Sequence, residues 1–181
     1  MQFVPRKTPP SNNNLYYIKT THGGYNKCIV IDRDTGSVLP NCTGYAYGRF
    51  MECQGVTTCR LSRANGGAWY GHTSDGYDRG LTPKLGAVIC WSSTRSGGHV
   101  AIVEEIKDNG KIVVSNSAYN GKRFFLSTLN PPNYKFGSAY TLQGFIYNPT
   151  DFNPEPPTPE PSKQKKKFPW VLYAKKLRNK R

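Results

Sequence analysis

From Lys84 onward the chain alternates between short apolar runs and turn residues. "KLGAVICWS" (84–92), "HVAIVEEIK" (99–107), "KIVVSNSAY" (111–119) and "TLQGFIYNP" (141–149) are apolar or alternating and bounded by Gly, Asn, Asp or Pro. That pattern predicts strands, and the "DNGK" turn at Asp108–Lys111 joins two of them as a hairpin. Their order predicts consecutive antiparallel neighbours. Upstream, "VLPNCTGYAYGRFMEC" (Val38–Cys53) is the best helix, with Asn41 as its N-cap, and "LSRANGGAWYG" suggests a second, shorter one. Helices first and a β-meander afterwards is an α+β layout.

The first helix is a poor one. Gly44 and Gly48 each cost about 1 kcal/mol relative to alanine. Four apart, they share one face, and the expectation is that this face presses closely on the sheet. The helix also begins with a thiol, Cys42. A helix start is a place where the dipole and unpaired backbone N–H groups favour a thiolate and lower its pKa.

A thiolate nucleophile needs a base, and the base needs an orienting group. Three histidines are available. His22 in "KTTHGG" and His72 in "YGHTSDG" lie in loop-like contexts. His99 opens a strand in "SGGHVAIVEEI", behind two glycines that would let a substrate approach the backbone. The hairpin brings Asn116, near the far end of the next strand, back beside His99. A cysteine on a helix tip, a histidine on one strand and an amide on its neighbour, in that order, is the papain-type arrangement.

Four segments in this order, "LPNCTGYAYGR", "KLGAVICW", "GGHVAIVEEI" and "VVSNSAYNG", closely resemble the CHAP family of cysteine, histidine-dependent amidohydrolases/peptidases. The similarity runs from about Tyr25 to Pro149. It implies a papain-like α+β fold with N-terminal helices packed on an antiparallel sheet. It also implies hydrolysis of bacterial peptidoglycan, at the muramoyl–L-alanine amide or at a peptide bond of the stem or cross-bridge. Many members are bacteriophage lysins, either endolysins or enzymes of the virion tail. By resemblance Cys42 is the nucleophile and His99 the general base. Several phage members carry Glu, any residue, Asn and an aromatic on the last strand. Aligned on Tyr119, this chain has Asn116 in place of that Glu and Ala118 in place of that Asn. Asn116 is therefore assigned as the orienting residue. Tyr25, Trp69, Tyr70 and Trp91 are expected to line a groove for the glycan-peptide strand.

Composition bounds the rest. The 181 residues suit one domain with tails: an extended leader (1–14), the catalytic domain (15–149), a proline-rich linker (150–162) and a basic tail (163–181). Net charge is +14, yet nine of the 25 Lys and Arg lie beyond Ser162 with no acid among them. The remaining 16 meet all 11 acidic residues. The tail "KQKKKFPWVLYAKKLRNKR" reads as a solvated run, or as a tether to anionic wall polymers or lipid head groups in which "FPWVLYA" dips into an interface. As a nucleic-acid arm it lacks a folded partner motif, so no nucleic acid is expected. No signal-peptide core and no membrane span occur, so the expected product is made in the host cytoplasm and reaches the wall by release or on a virion.

Five cysteines make at least one free thiol. Cys53 and Cys59, six apart, leave a small disulfide loop open, and Cys90 reads as a core thiol. No C-x-x-C spacing points to a metal site, and no cofactor is required. "DRDTG" (Asp32–Gly36) has oxygens at the alternation calcium loops use, but without a later bidentate Glu an ordinary turn is favoured. The rival to a hydrolase is a non-catalytic structural or wall-binding protein with the same fold. A papain-like protease acting on protein substrates is a second rival.

Overall fold

The computed structural model of the protein describes residues 1–17, 37–119 and 121–152. Helix α1 (Cys42–Gln54) precedes six strands: β1 (Arg79–Gly80), β2 (Val88–Ser93), β3 (His99–Ile106), β4 (Ile112–Asn116), β5 (Phe125–Leu129) and β6 (Tyr140–Ile146). All six make one antiparallel sheet in the order β1-β6-β2-β3-β4-β5. The arrangement is α+β, as the order of elements implies.

Residues 88–129 do form a meander, but β6 does not follow it. It crosses back to pair with β2, Trp91 standing opposite Leu142 and Cys90 opposite Gly144. The crossing segment covers the sheet face away from α1. Tyr134 is buried there, its carbonyl accepting from Trp91 Nε1 at 2.9 Å and its hydroxyl donating to the Gly110 carbonyl at 3.2 Å. The second expected helix is a single 3-10 turn, Gly66–Ala68.

Asn41 caps α1 from extended backbone, its side chain accepting from Gly44 N at 2.8 Å and from Thr43 Oγ1 at 2.6 Å. Gly55 ends the helix at φ 69°, a left-handed conformation that suits glycine. Thr43 to Met51 are all buried. Gly44 and Gly48 do permit close approach, but against the preceding chain rather than the sheet. A Cβ on Gly44 would lie 2.8 Å from the Val38 carbonyl, and one on Gly48 would lie 2.6 Å from the Tyr16 carbonyl. The sheet side of α1 is instead filled by larger residues, Tyr45, Phe50 and Met51 among them, against Val88, Val100 and Ile102.

The leader is extended, and it is part of the packed unit. Phe3 is buried edge-on to Phe152, and Arg49 Nη2 donates to the Val4 carbonyl at 2.7 Å. Cys42, Cys53, Cys59 and Cys90 are all free thiols, so no disulfide joins Cys53 to Cys59. Cys53 sits among the charges of Arg49, Glu104 and Glu52, whereas Cys59 is held beside Tyr47, which donates to its carbonyl at 2.8 Å.

Candidate active site

The sheet separates two groups of side chains. Val100 and Ile102 of β3 pack with α1, while Ala101 and Val103 face the opposite side, as alternation along a strand requires. His99, the first residue of β3, belongs to the second set. Its ring stacks on Phe136 at 4.3 Å between centroids and 12° between planes, with Trp91 at 5.8 Å and Tyr140 at 6.2 Å.

Ile102 of β3 stands opposite Ser115 of β4. One step further along β4, Asn116 is a diagonal neighbour of His99 on the same face, within reach of a long side chain. His99 Nε2 and Asn116 Oδ1 are 3.0 Å apart. The rest of the amide is committed elsewhere: Asn116 Nδ2 donates to the Val114 carbonyl at 3.1 Å and to Ser127 Oγ at 3.3 Å. Its Oδ1 must therefore accept, which puts the imidazole proton on Nε2 and leaves Nδ1 as the free base. Both residues are buried.

Cys42 approaches from the helix side. Its sulfur takes backbone hydrogen bonds from Val100, Thr43 and Cys42 itself, so the thiol lies against the residue that follows His99. Those bonds favour a thiolate, as expected of a helix start. Burial outweighs them and pushes the thiol above its usual value, a reversal of the lowered pKa expected from position alone. Burial likewise pushes His99 down to about 4, although its bond to Asn116 opposes the change. Near neutral pH the resting pair is a neutral thiol and a neutral imidazole.

Trp69 and Trp91 do not line a groove. Trp69 and Trp91 are both fully buried, Trp69 donating to the Ala64 carbonyl and packing under α1, Trp91 packing on the opposite face. An indole is large enough to serve as the centre of a small core, and here both do. Tyr70 is partly buried against the first of these clusters. Tyr25, His22, Cys28, the Asp32–Gly36 loop and the basic tail lie outside the described residues. Gly97 and Gly98 admit another stretch of chain: Gly67 N donates to the Gly97 carbonyl at 2.8 Å, and a Cβ on Gly66 would sit 3.1 Å from the His99 backbone.

Residues 32–118 match the model of the CHAP domain. That stretch, just under half of the chain, is similar to the CHAP domain. Two curated relatives share sequence with it. One, from Staphylococcus aureus, is named "Probable autolysin LDP" and is 32% identical over 123 residues, 62% of this chain and 40% of the relative. The other, from Streptococcus mutans, is named "Putative hydrolase" and is 40% identical over 62 residues, 33% of this chain and 28% of the relative. The chain thus spans well under half the length of either relative. Among solved structures, a crystal structure of N-acetylmuramoyl-L-alanine amidase from Staphylococcus aureus is 28% identical, with a TM-score of 0.42 over 50% of this chain and 27% of that one.

Cys42, His99 and Asn116 all fall inside the matched stretch of the CHAP domain. Phe136, the ring stacked on His99, lies beyond it. Phe136 could not be singled out, because in "NYKFGSAY" the alternation of Tyr134 and Phe136 is broken at once by Gly137 and Ser138. Ser117 was also passed over, and it accepts from the backbone N–H of Asn41 at 3.0 Å. Among the described residues, no group of three or more His, Cys, Asp or Glu is placed to hold a metal ion, and no helix is long and apolar enough to cross a membrane.

Proposed function

We propose that this CHAP-like domain hydrolyses an amide bond of bacterial peptidoglycan, with Cys42 as nucleophile, His99 as general base and acid, and Asn116 as the group that orients it. The observation that carries the reading is the His99–Asn116 pair at 3.0 Å, which fixes one imidazole tautomer next to the backbone position against which the Cys42 thiol lies. The name of the Staphylococcus aureus relative, an autolysin, supports a wall substrate.

The chemistry follows from the resting state. Substrate binding completes the exclusion of water, and Nδ1 of His99 takes the thiol proton as the sulfur attacks the carbonyl carbon. The carbonyl oxygen becomes an oxyanion at the first turn of α1, where the N–H of Cys42, bonded to its own sulfur in the resting site, donates to it once that sulfur has moved onto the carbonyl carbon. The imidazolium, held by Asn116, gives its proton to the departing amine. Water, deprotonated by His99, then cleaves the thioester. An amide oxygen stabilises the imidazolium less than a carboxylate would, so the ion pair exists only while substrate is present. The basic tail is read as an electrostatic tether to the wall or membrane surface, and the setting as a phage lysin, endolysin or tail-borne.

The test is mass spectrometry of soluble fragments released from Gram-positive sacculi by wild type and by Cys42→Ala. Intact stem peptides with a free L-alanine amine, from wild type alone, identify an amidase. Fragments cut inside the stem or bridge identify an endopeptidase. Equal release by both proteins removes Cys42 as nucleophile, and binding to sacculi without any release favours the non-catalytic rival.

A further inference from the structure

Helix α1, which delivers the thiol, packs on one face of the sheet, and His99 and Asn116 stand on the other. The two halves of the site must be registered through the strands themselves. The last residue of β4 and the one that follows it do this. Asn116 points one way and holds His99, while Ser117 continues the alternation and bonds the other way, to the backbone N–H of Asn41. Asn41 is the N-cap of α1, and Cys42 is the next residue. Ser117 is fully buried and Asn41 is 6% exposed, so water does not compete for this bond. Two residues back, Ser115 faces α1 as well, but it reaches Glu104 Oε1 at 2.7 Å and through it Arg49, well up the helix.

We infer that Ser117 is a positioning residue that sets the Cys42 sulfur against His99, acting through the N-cap of α1. This rests on the cysteine-hydrolase reading above. A buried N–H left unpaired is costly, so the cap relaxes toward another acceptor when the hydroxyl is lost. Displacement of a reacting atom by about 1 Å is enough to slow chemistry by two orders of magnitude.

Two readouts test it in the full chain. The first is turnover of sacculi. The second needs no substrate: the rate at which iodoacetamide alkylates Cys42, resolved by mass spectrometry of its peptide and followed against pH in wild type, His99→Ala, Ser117→Ala and Ser115→Ala. Ser117→Ala is expected to lower kcat about 10- to 100-fold with KM within about 2-fold. It should also move the Cys42 alkylation profile toward that of His99→Ala. Ser115→Ala, which loses an equally buried hydroxyl, is expected to lower Tm while both rates stay near wild type. Should Ser117→Ala fail to fold, Ser117→Cys keeps the volume with a weaker acceptor, and the same shift in its profile is expected. If wild type cleaves no wall, the alkylation profiles decide alone, and a shift in the Ser117 variant still supports the inference. A Ser117 variant with the wild-type profile overturns it, as does a Ser115 variant that loses both rates equally, since that is plain instability.

Discussion

His99 is the residue whose burial ties stability to pH. A 5% exposed imidazole enclosed by Phe136, Trp91 and Tyr140 resists protonation, and its pKa falls from 6.5 to about 4. The sign follows directly. Above pH 6.5 neither folded nor unfolded chain carries the proton, and the group's contribution is fully present. As pH falls below 6.5 the unfolded chain binds a proton that the folded one refuses, so stability is lost until the folded site titrates near pH 4. The loss is on the order of 3 kcal/mol. Urea unfolding at pH 7 and pH 4.5 should therefore show a steeper fall for wild type than for His99→Gln, whose carboxylates titrate alike. Parallel falls would mean the imidazole is not excluded from water. The three candidate residues could be singled out in the sequence because each stands at a marked place: a capped helix start, a strand start behind two glycines, the far arm of a tight hairpin; the structure pairs two of them, His99 and Asn116. The tryptophans were misread as groove residues because a large aromatic side chain carries no sign of which way it faces.

At the scale of elements, α1 shows how a weak helix becomes a fixed one. Replacing a helical glycine by alanine gains about 1 kcal/mol in propensity. At Gly48 the added methyl meets the Tyr16 carbonyl at 2.6 Å and the Tyr17 ring at 2.9 Å, and backbone cannot swing aside as a flexible side chain could. Overpacking of this kind costs about 1–3 kcal/mol and outweighs the propensity gain. Gly48→Ala is expected to lower Tm and to loosen residues 16–17 from the helix, which hydrogen exchange at Val38, whose N–H bonds the Tyr17 carbonyl, would report. A raised Tm would show that the chain moves away at little cost. The strands with long apolar runs were legible because burial on both faces leaves a continuous signal. β5 was not, since "FLSTL" lies at the sheet edge with Leu126 and Thr128 exposed, and β1 is too short for any period. The crossing of β6 to β2 could not be read either. It depends on Tyr134 and Phe136 covering the far face, a tertiary fact in a segment whose alternation is broken at Gly137 and Ser138.

At the scale of the molecule, residues 1–14 hold α1 to the sheet by charge as well as by packing. Arg49 bonds Glu104 through Nε at 2.9 Å and Nη2 at 2.8 Å, and Glu52 through Nη1 at 2.9 Å. Arg6 completes the set, its guanidinium on Glu52 and its backbone N–H on Glu104 at 2.8 Å, while Asn14 bonds Glu52 at 3.0 Å. Two acids thus balance two guanidiniums in a largely buried space. Burial alone would raise the Glu52 pKa, but Arg49 and Arg6 outweigh it and hold the carboxyl below its usual value. Its contribution is present above the ordinary carboxylate range and is lost as pH falls through the lowered folded value. Removal of residues 1–14 takes away Arg6, leaves two carboxylates sharing Arg49, and uncovers the Phe152 ring that Phe3 covers. Breaking a buried ionic set in this way costs about 3–5 kcal/mol, and truncating a buried Phe a similar amount. A chain beginning at Leu15 should unfold at markedly lower urea, and Arg6→Ala should show part of that loss together with a flatter decline in stability at acid pH. Phe3→Ala should lower stability while keeping the wild-type acid slope. If truncation leaves the urea midpoint unchanged, the leader is an ornament on a domain that folds without it, and the charges of Arg49, Glu52 and Glu104 must be satisfied by water in its place.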